Sequence, residues 1–198
     1  MKARDWSRYL EEQSRKHGKL LFKNTELANV ARTTIGSLNV ELSRLRKYGV
    51  IERYGRGVYG LPGITSPEIL LPELDSHAYI TGGSALFFHN LISQVPVQIT
   101  SFTDRRHGNA RVRMTPMGSF RFVSVRVPIY APPEDGVIAG PEQALCDFVY
   151  LSRRDGTDPN TQVSFRNLDR IPLPRLKDLL NHYPGTVGRQ IREEMGLF

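Results

Sequence analysis

Thr33 to Leu61 reads TTIGSLNVELSRLRKYGVIERYGRGVYGL, and no other stretch restricts the fold of this chain as much. Ile35, Leu38, Leu42 and Leu45 recur at offsets 0, 3, 7 and 10, the spacing of one apolar stripe along a helix. Lys47 and Tyr48 precede Gly49, so a cationic last turn and a glycine stop end that helix. Val50 to Tyr54 is a short strand pattern, Gly55-Arg56-Gly57 a turn with a cation at its tip, and Val58 to Leu61 the returning strand. A helix followed at once by a small basic-tipped hairpin is the second half of a winged helix-turn-helix.

At about 100° per residue the opposite face of the helix can be read as well. It carries Thr33, Gly36, Val40, Ser43 and Lys47, with Ser37 and Arg44 beside them and no carboxylate; Glu41 falls at the edge of the buried side. Small, hydroxyl and cationic side chains suit a polyanionic groove. Gly36 admits close approach, the hydroxyls bond phosphates or bases, and Val40 fits a thymine methyl. Arg44 and Lys47 neutralise phosphates. The plainer reading is a solvated helix face. Charge distribution favours the groove: residues 1–63 hold 13 Lys/Arg against 6 Asp/Glu, a difference of +7, whereas the rest hold 14 of each. The whole excess lies with the helix and wing.

The segments before the helix complete the order. Residues 4–17 read as a helix with Trp6, Tyr9, Leu10 and Gln13 on one face and Gly18 as its stop. Lys19 to Phe22 reads as a small strand, and a short helix capped by Asn24 carries Leu27, Ala28 and Ala31 inward. Pro62-Gly63 closes the wing. Residues 64–77 hold Pro67 and Pro72 and read as a linker with one short helical turn, which sets a winged-helix domain at 1–63 and a second domain at 78–198.

The second domain mixes periods. Ala78 to Thr81 predicts a strand, Gly82-Gly83-Ser84 a turn into a buried apolar helix through Leu91, and residues 97–127 a run of further strands. Pro141 to Val149 begins a helix, and Leu173 to His182 and Thr186 to Met195 predict two closing helices. The expected class is α+β: an N-terminal winged helix-turn-helix, then a mixed α/β domain with an antiparallel sheet and flanking helices.

Enzyme chemistry finds little purchase. A turn such as Gly82-Gly83-Ser84 before a helix can cradle a phosphate and opens nucleotidyltransferase folds. That reaction needs paired carboxylates for magnesium, and Asp104 is the only acid in the next 40 residues. The five histidines lack metal-site spacing, and Ser84 lacks the context of a nucleophile, so neither a metal nor a cofactor is expected. Cys146, the single cysteine, sits among apolar residues as a buried inert thiol. Arg105, Arg106, Arg111, Arg113, Arg121 and Arg126 crowd the strand region, either as a solvated sheet face or as a second surface for nucleic acid or an acidic partner. There is no apolar run near 18 residues, and the first residues, MKARDWSRYLEEQ, do not form a secretory signal. The expectation is a cytoplasmic protein without a membrane partner.

Three pieces, taken together, carry a resemblance. They are Leu45 to Arg53 with Gly55 to Gly63, Ser84-Ala85-Leu86 with His89-Asn90-Leu91, and Pro141 to Asp147. In their order and spacing the sequence resembles the AbiEi family of bacterial antitoxins, the regulators of type IV toxin–antitoxin systems. The resemblance implies an N-terminal domain that represses its own operon and a C-terminal domain that counters a nucleotidyltransferase-type toxin. The expected DNA contacts are Thr33, Thr34, Gly36, Ser37, Val40, Ser43, Arg44 and Lys47 of the helix, with Arg53 and Arg56 of the wing. Two copies on an inverted repeat of duplex DNA are expected, since one module reads only a short half-site. Two alternatives stand beside this: a nucleotide-binding or nucleotidyl-transferring enzyme built on Gly82-Gly83-Ser84, and an RNA- or protein-interaction module.

Overall fold

The computed structural model describes residues 2–196. The chain divides into two compact units. One comprises the residues up to Leu74 together with Arg113–Gly118; the other comprises Asp75–Val112 and the residues from Ser119 onward.

In the first unit the elements run α1 (Ala3–His17), β1 (Leu21–Lys23), α2 (Asn24–Ala31), α3 (Ile35–Lys47), β2 (Glu52–Gly55), β3 (Val58–Gly60) and α4 (Pro67–Leu74). The three strands form one sheet in the order β1-β3-β2, with β1 antiparallel to β3 through Leu21↔Gly60 and Lys23↔Val58. This is the winged-helix order. Its core gathers Trp6, Leu10, Phe22, Leu27, Leu38, Leu42, Leu45 and Ile51. Three of the four residues in the helix stripe are therefore inside; Ile35, in the first turn, stays 42% exposed. Gly49 ends α3 at φ +68, where its N–H and that of Val50 reach back to the Arg46 and Leu45 carbonyls, a conformation costly for any side chain. Gly60 is required for another reason: a Cβ there would stand 2.5 Å from the Leu20 carbonyl oxygen.

Two local expectations change. Asn24 is the first residue of α2 and makes no side-chain cap; Lys23 holds the cap position, and the Asn24 N–H donates to the Gly57 carbonyl at 2.8 Å, tying α2 to the wing turn. The stretch 64–77, read as a linker, contains the two-turn helix α4 within the first unit. Burial of Leu70 and Leu71 explains it. Pro67 opens the helix, where no N–H partner is lost, and Pro72 falls in the last turn, where only one bond is forfeited.

The second unit contains β4 (Tyr79–Ile80), α5 (Gly82–Phe88), β5 (Gln98–Thr103), α6 (Pro141–Arg154), α7 (Pro159–Gln162), α8 (Leu173–Leu180) and α9 (Gly185–Met195). The strands β6 (Val112–Thr115) and β7 (Gly118–Ser124) complete a four-stranded sheet in the order β4-β5-β7-β6. The class is α+β, as expected. β4 and β5 are antiparallel, but β5 and β7 run parallel from Gln98↔Ser119 to Thr103↔Ser124, which makes the sheet mixed rather than antiparallel. The reason is the connection. Residues 104–117 leave β5, and β6 takes the outer edge within them, so β7 returns in the direction of β5. Val137 and Ile138 add only a single parallel bridge to β4, Ile80↔Ile138. Helix α6 is buried over most of its length and packs against α5, α8 and α9. Cys146 is wholly buried on it, and burial pushes its thiol well above the ordinary range. No helix among the described residues is long and apolar enough to cross a membrane.

Candidate nucleic-acid interface

Helix α3 begins after a tight turn. Arg32, at φ +50, ends α2, and Thr34 caps α3 by accepting the Ser37 N–H at 3.3 Å. The Thr34 hydroxyl also lies 3.1 Å from Ser37 Oγ. This pair therefore has a structural task at the helix start besides its exposure. Burying Leu38, Leu42 and Leu45 turns the opposite face outward: Gly36, Ser37, Val40, Ser43, Arg44 and Lys47 are exposed and Thr33 is half-buried.

The one acid of α3 is turned away from that face. Glu41 is half-buried, and its carboxylate accepts the Trp6 indole N–H at 2.8 Å. The bond anchors α1 to α3 and holds the negative charge on the flank opposite the wing.

The wing supplies the other half. Arg53 and Arg56 are exposed, and the Arg53 Nε–H donates to the Gly55 carbonyl at 3.1 Å, laying that guanidinium along the strand. Between α3 and the wing lies a polar hollow of about 450 Å³ lined by Asn24, Asn39, Ser43, Arg46, Arg53 and Arg56, with Gly57 and Tyr59. No carboxylate of a described residue lines it. Arg44, Arg46, Lys47 and Arg56 form no ion pair with any described residue. Their charges face water.

The structure therefore joins Ser43, Arg53 and Arg56 in one hollow and leaves Thr33, Gly36, Ser37, Val40 and Arg44 on the adjoining convex face. Two residues were missed, Asn39 and Arg46. A signal existed: Asn39, Ser43 and Arg46 follow one another at offsets 0, 4 and 7, a second helical stripe. Its meaning depended on which flank the wing would occupy. Tyr48, 73% exposed at the end of α3, is a further aromatic on this helix that the sequence reading did not single out.

The Gly82-Gly83-Ser84 turn is built differently. The Ser84 hydroxyl donates to the Gln98 carbonyl at 3.1 Å and accepts the Thr100 N–H at 2.9 Å, pinning α5 to β5. The preceding Thr81 hydroxyl donates to Asp147 at 2.6 Å, and the other Asp147 oxygen accepts the Tyr183 hydroxyl at 2.6 Å. Burial pushes the Asp147 carboxyl up to about 7 despite those two bonds. His89, the C-cap of α5, is half-buried and its Nε2 lies 2.8 Å from the Ala139 carbonyl oxygen. No group of three or more His, Cys, Asp or Glu among the described residues is placed to hold a metal ion.

No protein-family model matches the chain, and comparison with curated proteins gives no match. Among solved structures it is similar to the crystal structure of RV2827C protein from Mycobacterium tuberculosis, at 16% sequence identity and a TM-score of 0.60, over 94% of this chain and 74% of that one. At that identity the likeness is one of fold.

Proposed function

We propose that this protein is a sequence-specific DNA-binding repressor that acts as the antitoxin of a type IV toxin–antitoxin system. The observation that supports it is the exposed, acid-free face of α3, continuous with a carboxylate-free arginine hollow against the wing. Helix α3 enters the major groove. Gly36 and Val40 lie against base edges, with Thr33 and Ser37 as hydrogen-bonding groups. Arg44, Arg46 and Lys47 take flanking phosphates, and Arg53 and Arg56 take the backbone or the adjacent minor groove. Glu41, held by Trp6, is kept from repelling the phosphates. Two copies read an inverted repeat with half-sites about 10 base pairs apart.

The antitoxin part rests on the resemblance to the AbiEi family, and a cytoplasmic location goes with it. The Ser84 and Asp147 hydrogen bonds support reading the Gly82-Gly83-Ser84 turn as structural rather than catalytic.

Fluorescence anisotropy with duplex DNA from upstream of the gene, against RNA of equal length and scrambled duplex, tests the reading. The expected result is salt-sensitive binding that prefers the upstream duplex. Equal affinity for RNA and for scrambled DNA would overturn it.

A further inference from the structure

The second unit carries a hollow that the repressor reading does not use. Arg106, Arg111, Arg121 and Arg154 surround a cavity of about 590 Å³, with His107 and Phe122 in its wall. Among the described residues the only acid lining it is Asp155, bound to Arg121 at 3.0 Å. Arg106, Arg111 and Arg154 make no ion pair with a described residue. Four guanidiniums against one carboxylate leave a local excess of three positive charges. His107 is held in place: its Nε2 lies 2.8 Å from Asp75 and its ring leans on Phe122 at 4.7 Å.

A second hollow, of about 600 Å³, adjoins the first. Gln98, Arg121, Leu151 and Asp155 line both, so the Arg121–Asp155 pair stands at their junction. The second lobe is different in kind. Ile92, Pro96, Val97 and Phe148 give it apolar walls, and Gln94 and Gln162 add amides. Gln94 and Gln162 are already bonded within the protein, whereas the Gln98 side chain, at the junction, has no protein partner among the described residues. Val97 is 94% exposed at the rim, an apolar surface with nothing laid against it.

We propose that the second unit binds a nucleoside polyphosphate, with its phosphates among Arg106, Arg111, Arg121 and Arg154 and its base in the lobe of Val97 and Phe148. Charge complementarity selects the phosphates, because guanidinium forks bind phosphate oxygens in pairs. The split between a cationic lobe and an apolar one matches a ligand charged at one end and aromatic at the other. Gln98 reaches the sugar or the base edge between them. Each lobe falls within the size of small-molecule sites, and the concave walls favour one nucleotide over a duplex, whose phosphates follow an extended ridge. The proposal is independent of the repressor reading, which uses residues of the first unit.

Titration of the full-length protein with fluorescently labelled ATP and GTP, read by anisotropy at low salt, tests it. Saturable binding of at least one is expected. Arg106→Ala with Arg154→Ala should weaken it about tenfold or more, and Val97→Asp should weaken it several-fold. Both sets of changes are on exposed side chains and should leave thermal stability and duplex DNA binding as in the parent protein. Inorganic tripolyphosphate should compete weakly and the free nucleosides more weakly still. Absence of binding up to about 1 mM nucleotide would overturn the proposal, as would arginine variants that bind unchanged. Tripolyphosphate competing as well as ATP would overturn the nucleotide assignment. Loss of duplex DNA binding in the Arg106/Arg154 variant equal to its loss of nucleotide binding would overturn it in favour of a nucleic-acid surface.

Discussion

Both units bury an apolar core, but they differ in the polar residues they bury with it. The first hides only apolar and aromatic residues and keeps its charges outside. Every buried Asp, Glu, Gln, Ser and Thr among the described residues belongs to the second: Asp75, Thr81, Ser101, Thr103, Ser119, Glu142, Gln143, Asp147 and Ser152. An apolar core tolerates a varied surface wherever the outward side chains, unlike Thr34 and Glu41, make no cap or anchoring bond. That suits α3, whose outward residues are then available for recognition. A core containing hydrogen-bonded polar groups ties the fold to particular partners, since each donor or acceptor left alone is expensive.

The largest effect that tests this contrast is expected at Asp147. Asp147→Ala leaves the Thr81 and Tyr183 hydroxyls without their acceptor and should destabilise the second unit by about 3 kcal/mol. Trp6, the sole tryptophan, is buried in the first unit, so its fluorescence follows that unit while far-UV circular dichroism follows both. The contrast breaks if the Trp6 transition in denaturant shifts as much as the dichroism.

Next is the dependence on pH. Burial raises the folded Asp147 carboxyl from an ordinary 3.8 to about 7, so the folded state holds a proton that the unfolded chain has released. The associated stability is complete below about 3.8 and is lost as pH rises to about 7. Asp75 runs the other way. Burial pushes it up, but bonds from the Thr103 hydroxyl, the His77 N–H and His107 outweigh that and hold it below its ordinary value. Its contribution is present above the ordinary carboxylate range and is lost as pH falls through the folded value. Between them the two groups make the second unit lose stability as pH rises from about 3.8 to about 7 and again as pH falls through the folded Asp75 value. Urea midpoints between pH 3 and 8 check this, and Asp147→Asn should remove the loss between about 4 and 7.

A smaller change in free energy is expected on the DNA side. Arg46→Ala with Arg56→Ala should weaken operator binding by about ten- to a hundredfold and make the salt slope shallower by about two. Stability should move by no more than about 0.5 kcal/mol. Anisotropy titrations at several salt concentrations measure both the affinity and the slope; an unchanged slope would remove the wing hollow from the interface.

The smallest expected effect joins core and surface. Trp6→Phe removes the indole donor to Glu41 and should cost about 1 kcal/mol by thermal melting. Loss of that donor leaves more of the Glu41 charge uncompensated beside the helix and should weaken DNA binding about two- to threefold, an effect that Glu41→Gln in the same background should reverse.

Much of the first unit could be read from residue order. The leucine stripe, the glycine stop and the Gly55-Arg56-Gly57 turn act over a few residues, where spacing alone specifies geometry. The outward identity of Val40, Ser43, Arg44 and Lys47 follows from the same 3.6-residue period. The class of the second unit and its main elements were legible for that reason too. Asn39 and Arg46 were not, because their use depends on which flank of α3 the wing lies against.

Tertiary structure decided what joins distant residues. Thr81 and Asp147 are 66 positions apart and Tyr183 lies 36 beyond; Trp6 and Glu41 are separated by 35. The parallel pairing of β5 with β7 is of this kind, as is the arginine hollow assembled from residues 106 to 154. Local sequence sets dihedral preference and the pattern of apolar faces. Which buried donor meets which acceptor, and which arginines share one cavity, is settled only when the chain closes long loops and the hydrophobic gain of burying those faces outweighs the entropy of closure.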